Sequence, residues 1–251
     1  MREIVRAWIP PLLIDGYRQF RRMRERKRNH ALSTEEVFTS IYAQNKWGGS
    51  NGEFCSGLGT TDDAIVQAYV SMVADRGASD GFLAKTFVDL GCGDFRVGKL
   101  LLPYCDRYIG VDIVKALIQR NRSVNADAKA TFAHLDLVRA DLPDGDVCFV
   151  RQVLQHLSND QILAILGKLE KYSWVFITEH YPSDNRAIRA NLDKPHGGDV
   201  RVHDNSGVYL TLPPFQLPAE RVEQVLEVPG SDMGPGQDRG VIRTFLYRPQ
   251  A

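Results

Sequence analysis

The sequence predicts an α/β fold: a doubly wound, mostly parallel seven-stranded sheet with an antiparallel C-terminal edge pair, preceded by N-terminal helices and interrupted by an insertion after strand five. Three observations carry that prediction. Beyond Gly77, short apolar runs alternate with helical segments, the pattern of parallel strands joined by crossovers. One of these runs, Phe87-Val-Asp-Leu, enters a glycine turn that opens a helix. The last two runs are separated by a loop from Gly230 to Gly240 with no helix, so they pair antiparallel.

The elements follow in order. Ile4, Val5, Trp8, Ile9, Leu12, Leu13, Tyr17 and Phe20 fall at helical spacing, and a basic cluster from Arg18 to Arg28 overlaps and follows them. Pro11 suits a first helical turn but not a helix middle, which predicts two short helices or a kink. Ser33-Thr-Glu-Glu36 matches a capping box and starts a helix over about 34–44, ended by the glycine-rich stretch 47–59. A second helix is expected over about 61–76. Strands are expected at 86–90, 108–112, 130–134, 147–150, 174–178, 222–228 and 241–247, and helices near 97–102, 114–122 and 159–171. Residues 181–218 are too many for an ordinary connection and read as a lid over the carboxyl ends of the strands. The division expected is a basic amphipathic segment, 1–30, and one domain, 31–251.

Composition narrows the function. The 31 basic and 31 acidic residues cancel, which leaves no overall field for nucleic acid. Residues 1–30 nevertheless hold nine Arg or Lys against Glu3, Asp15 and Glu25. An apolar stripe beside such a cluster suits an anionic membrane surface; it equally suits packing on the domain or on a second copy in a homo-oligomer. The four cysteines form no C-x-x-C pair, so no metal site is expected. With no apolar run of spanning length, the expected location is cytoplasmic, peripheral at the inner membrane face if the basic segment docks there.

Gly91 and Gly93 remove side chains that would hold the backbone away from a ligand, at a helix start with unpaired N–H groups. Asp112 ends the next strand, where doubly wound folds place a carboxylate on a ribose, and Asp136 follows the third strand as an acid suited to an exocyclic amine. Three such features at successive strand ends point to a nucleoside site. Separately, each acid also reads as a solvated loop residue.

The segments V-D-L-G-C-G-D (88–94), I-G-V-D-I (109–113), H-L-D-L (134–137) and D-V-C-F-V-R-Q-V-L-Q-H-L (146–157) resemble the class I S-adenosylmethionine-dependent methyltransferases, small-molecule type. The resemblance implies S-adenosylmethionine as cofactor, with Asp89, Gly91 and Gly93 around its methionine part, Asp112 with Ile113 beside it at the ribose, and Asp136 with Leu137 at the adenine. The stretches 41–49 and 56–61 look like the segment that closes over the cofactor in such enzymes. Tyr42 and Trp47 would then cover the sulfonium or adenine, and Gly57 would admit the carboxylate; core packing and a plain loop explain these residues as well. Arg151 and Gln152, at the end of strand four, are candidates for cofactor or acceptor contact.

A base is needed only for a poor nucleophile such as a hydroxyl. His156, just past strand four, is the candidate, with Glu179 and His180 at the end of strand five behind it; each also fits a structural role. Tyr181, Asp193, His196 and Tyr209 are candidate acceptor contacts. The reading that results is O-methylation of a polar small molecule or saccharide. Val150-Arg-Gln-Val153 stands where enzymes that methylate amino groups of DNA bases carry an N-P-P-Y type tetrad. A nicotinamide oxidoreductase is the rival enzyme, but Arg96 occupies the third glycine position of G-x-G-x-x-G. The rival outside catalysis is a membrane-docked scaffold that binds cofactor without turnover.

Overall fold

The computed structural model describes residues 11–49, 53–125, 127–183, 187–231 and 238–250. Helix α1 (Pro11–Asn29) starts at Pro11, which places the proline in a first turn as expected, and the segment before it, where the other helix or the kink was expected, lies outside the described residues. Ile4, Val5, Trp8 and Ile9 of the predicted stripe lie outside the described residues. Helix α2 (Thr34–Ala43) begins at the capping box, where Ser33 and Glu36 satisfy each other's backbone N–H groups. A single turn, α3 (Leu58–Thr61), precedes α4 (Asp63–Asp80), which Asp62 caps and left-handed Gly81 ends.

The sheet then forms: β1 (Lys85–Leu90), β2 (Cys105–Asp112), β3 (Ala130–His134), β4 (Val147–Arg151), β5 (Trp174–Tyr181), β6 (Val222–Pro229) and β7 (Val241–Tyr247). Its order is β3-β2-β1-β4-β5-β7-β6. The first five strands are parallel, and β7 inserts antiparallel between β5 and β6. The edge pair expected from the sequence is present, with β6 alone at the rim. Crossover helices are α5 (Gly98–Leu101), α6 (Lys115–Val124) and α7 (Asn159–Leu166). Two of them are shorter than the periodicity implies. Pro103 has no N–H to continue α5, which tightens into a 3₁₀ turn, Leu102–Tyr104. Likewise α7 stops at Gly167 and resumes as a separate 3₁₀ turn, Leu169–Lys171.

Alternation along the strands feeds two cores. Val88, Val111, Val150 and Ile177 pack with α2 and α7 on one face, and Phe87, Tyr108, Phe149 and Phe176 pack with α4 on the other. The insertion lies beyond the ends of β4 and β5. Fully buried Arg201 fastens it, donating to the carbonyls of Leu192 and Leu157 at 2.6 and 2.8 Å.

Candidate functional site

The glycine turn is shaped by the strands beside it. Gly91 and Gly93 have φ of +80° and +55°, a region that side chains disfavour. There is also no room: a Cβ on Gly91 would stand 2.4 Å from Val153 Cγ2, and one on Gly93 2.4 Å from Ser56 Oγ. Asp112 holds the turn from β2, accepting from Gly93 N at 3.1 Å and Val114 N at 2.9 Å. Burial raises its pKa. Asp136 accepts from Val138 N at 2.9 Å after β3. Beneath the turn, buried Asp89 accepts from the Tyr108 hydroxyl, and burial pushes its pKa up to about 6 against the pull of Tyr108 and Arg151.

The segment before the sheet closes over this turn. Ser56 and Asp94 bond reciprocally, Ser56 N to Asp94 Oδ2 at 3.1 Å and Asp94 N to Ser56 Oγ at 2.8 Å, and Tyr42 OH reaches the same Ser56 Oγ at 2.9 Å. Arg151 donates to Gly59 O at 2.6 Å with its guanidinium over the Tyr69 ring. The cavity so enclosed brings together Tyr42, Trp47, Asp89, Gly91, Gly93, Asp112, Ile113, Asp136, Leu137, Arg151, Gln152 and His156.

A second cavity adjoins the first through Trp47, Ser56, Gln152 and His156, and adds Gly57, Gln155, His180, His203 and Ser231. Gly57 therefore stands here and not in the first cavity, apart from the position expected for it. Both pairs of walls meet at the turn after β4. Gln152 begins that turn at φ +55° with its N–H on Thr178 O at 2.7 Å. Such a backbone costs of order 1–3 kcal/mol and persists where surroundings hold it. Glu179 supplies the hold: its carboxylate accepts from Val153, Leu154 and Gln155 N at 3.2, 2.8 and 3.1 Å. Burial pushes its pKa up to about 8 while those three amides pull it down.

Several expected roles change in consequence. Glu179 is fully buried, lines neither cavity and spends its oxygens on backbone, so it shapes the turn and meets no acceptor. His156 does line both cavities, but Nδ1 faces Gly197 O at 3.1 Å, and burial with the Lys194 charge lowers its pKa to about 3. That imidazole is neutral and too weakly basic to hold a proton near neutral pH. His180 lines the second cavity with Nε2 on Arg239 O at 2.5 Å. Since a carbonyl only accepts, Nε2 carries the proton and donates.

The four candidate acceptor contacts line neither cavity. Tyr181 OH donates to Val208 O at 2.6 Å, Asp193 accepts from Asn159 N at 2.8 Å, His196 meets Leu32 O at 3.1 Å, and Tyr209 packs edge-on against Tyr181. They fasten the insertion to the body. Sequence reasoning left out Ser56, Tyr69, Asp94, Gln155, His203 and Ser231. Asp94 and Gln155 sit inside the motifs quoted above and Ser56 begins the stretch 56–61, whereas Tyr69, His203 and Ser231 carry no local signal.

Residues 88–168 match the family described as a methyltransferase domain. No curated protein matches the chain. Among solved structures, a Leishmania major S-adenosylmethionine-dependent methyltransferase superposes with a TM-score of 0.54 at 14% identity, covering 85% of this chain and 81% of its own. The 1,6-didemethyltoxoflavin N1-methyltransferase of Burkholderia thailandensis, crystallised with S-adenosylhomocysteine, gives 0.53 at 17%, covering 85% and 87%. The N-methyltransferase NodS of Bradyrhizobium japonicum gives 0.51 at 14%, covering 74% and 98%. The fold is that of the class I methyltransferases.

Proposed function

We propose that this methyltransferase, whose cofactor is S-adenosylmethionine, methylates an oxygen of a small, uncharged, hydroxylated acceptor, saccharides included. One observation carries the reading: an acid-lined cavity shares a wall, formed by Trp47, Ser56, Gln152 and His156, with one whose described lining has no carboxylate. In the first, Asp112 and Asp136 keep lone pairs for ribose and adenine donors, and a Cβ on Gly91 or Gly93 would crowd the turn that cradles the rest. In the second, burial lowers the pKa of His156, His180 and His203, so all three are neutral at neutral pH. A cationic amine finds no countercharge there, since the one charged residue of the described lining is Lys46, itself paired with Glu25, while hydroxyls find the amides and neutral imidazoles. The bound cofactor supplies a methyl carbon activated by positive sulfur. The chain's part is alignment, worth several kcal/mol in reactions of this kind, and the proton that the hydroxyl loses as its oxygen takes the methyl passes to water in the second cavity, the base that such an acceptor needs.

Calorimetry should give binding of S-adenosylhomocysteine and none of NAD; the reverse would return the nicotinamide reading. Binding without methyl transfer to any hydroxylated or amino compound would favour the scaffold. Transfer confined to nitrogen, as the N-methyltransferase names of two structural relatives describe, would replace the oxygen acceptor.

We also propose that α1 brings the enzyme to anionic membranes. Its docked side is polar, with Arg26 and buried Asn29, while Tyr17, Phe20 and Met23 face solvent at 63, 51 and 55% exposure among basic residues. No helix among the described residues is long and apolar enough to cross a membrane. Co-sedimentation with anionic liposomes should appear at low salt and fade near a Debye length of about 10 Å at 0.1 M. Equal sedimentation with neutral liposomes would refute the charge-based reading.

A further inference from the structure

The histidine after β4 fixes a neighbour. Because Gly197 O can only accept, His156 carries its proton on Nδ1 and leaves Nε2 a lone pair. Gln155 Nε2 lies 3.5 Å from that nitrogen, and only the amide's N–H side can face a lone pair. This settles which way the Gln155 amide points. Its Oε1 is left buried without a hydrogen-bond partner, on a side chain only 2% exposed that lines the second cavity. Gln152, which lines both cavities, likewise has Nε2 buried without a partner. Buried polar atoms are nearly always paired, and an orphaned acceptor and an orphaned donor on one cavity wall mark places a ligand fills.

We infer that Gln155, oriented by His156, is the side chain that takes the acceptor's hydroxyl: Oε1 accepts from the O–H, and Gln152 Nε2 donates to a second oxygen of the same molecule. The ligand class is therefore a neutral compound bearing a hydroxyl beside another oxygen, as in a sugar or a catechol. This rests on the second cavity being the acceptor site, as proposed above. Glu179 contributes as a positioning residue, since its bond to Gln155 N fixes the backbone from which the amide projects. His156 is a positioning residue too, its Nε2 occupied by the neighbouring amide.

The test uses the full chain loaded with S-adenosylhomocysteine, titrated with glucose, catechol and propylamine while the glutamine side-chain amide signals are followed by nitrogen-15 NMR. Glucose or catechol should move the Gln152 and Gln155 signals, and propylamine should not. Gln155→Leu should weaken the hydroxylated probe about tenfold, the effect of leaving one hydroxyl unpaired, with S-adenosylhomocysteine affinity unchanged. The wild-type titration stands even if that variant fails to fold. The inference is overturned if neither hydroxylated probe moves those signals, if propylamine moves them instead, or if the leucine variant binds as the wild type does. Failure to bind S-adenosylhomocysteine at all would instead overturn the function proposed above.

Discussion

The half of the site on the ends of β1, β2 and β3 and the half under the insertion differ in how far their contacts reach along the chain. On the first, Asp112 and Gly93 are 19 residues apart, and Asp136 grips Val138 two residues on. On the second, Arg26 bonds Asp199 across 173 residues, and His156 meets Gly197 across 41. Local contacts make a cradle set by residues close in the chain. Long-range contacts turn polar side chains into fastenings, so the same residue types that suggest an acceptor site in a sequence serve here to attach the insertion.

Asp112→Ala gives the largest effect expected from breaking the local half. Hydrogen bonds to a charged group contribute about 1.5–3 kcal/mol, so S-adenosylhomocysteine affinity should fall by about 10- to 100-fold in calorimetry. Loss of the bond to Gly93 N adds to it by loosening the turn. An unchanged dissociation constant would remove Asp112 from the ribose role.

Arg26→Ala breaks the distant half. Its guanidinium bridges Asp199 and Asp204, and Asp199 also pairs at 3.2 Å with Lys194, whose side chain is 1% exposed. Burial lowers the Lys194 pKa to about 8, and Asp199 keeps it from falling further. Without Arg26 that cluster keeps one cation for two carboxylates, and stability should drop by about 1–3 kcal/mol. Gly197 and Gly198, whose carbonyls hold His156 Nδ1 and Trp47 Nε1, immediately precede Asp199 in the chain, and Gly198 lines the second cavity. Acceptor KM should therefore rise while cofactor affinity stays near wild type. Equal loss of both would show that the halves are one mechanical unit.

This contrast also explains what was legible. The strands, the glycine turn and the acids at 112 and 136 could be read because periodicity and turn chemistry act over a few residues. The antiparallel pairing of β6 with β7 matched expectation for the same reason: a loop without a helix leaves antiparallel pairing. Tyr181, Asp193, His196 and Tyr209 misled because nothing local distinguishes a tyrosine that donates to a backbone carbonyl from one that meets a ligand. Gln155 was invisible in a different way. Its orphaned oxygen is defined only by a carbonyl 42 residues downstream, at Gly197, acting through the histidine between them.

The smallest effect separates the halves by pH. His156, 8% exposed, has a native pKa of about 3, below the ordinary 6.5 of an unfolded chain. A depressed histidine stabilises the fold fully above about pH 6.5, and that contribution is lost as pH falls toward 3, because the unfolded chain takes up a proton that the native site refuses. Glu179 and Asp89 act in the opposite sense, since native values of about 8 and 6 mean that the folded protein holds protons there that the unfolded chain releases. The total curve mixes these, so the difference between wild type and His156→Gln is the cleaner quantity. Between pH 7.5 and 5.5 the wild type should lose about 1 kcal/mol more than the variant in urea unfolding, following about 1.4 kcal/mol per unit for one proton. Parallel curves would mean that His156 titrates normally, which would restore it as a proton acceptor.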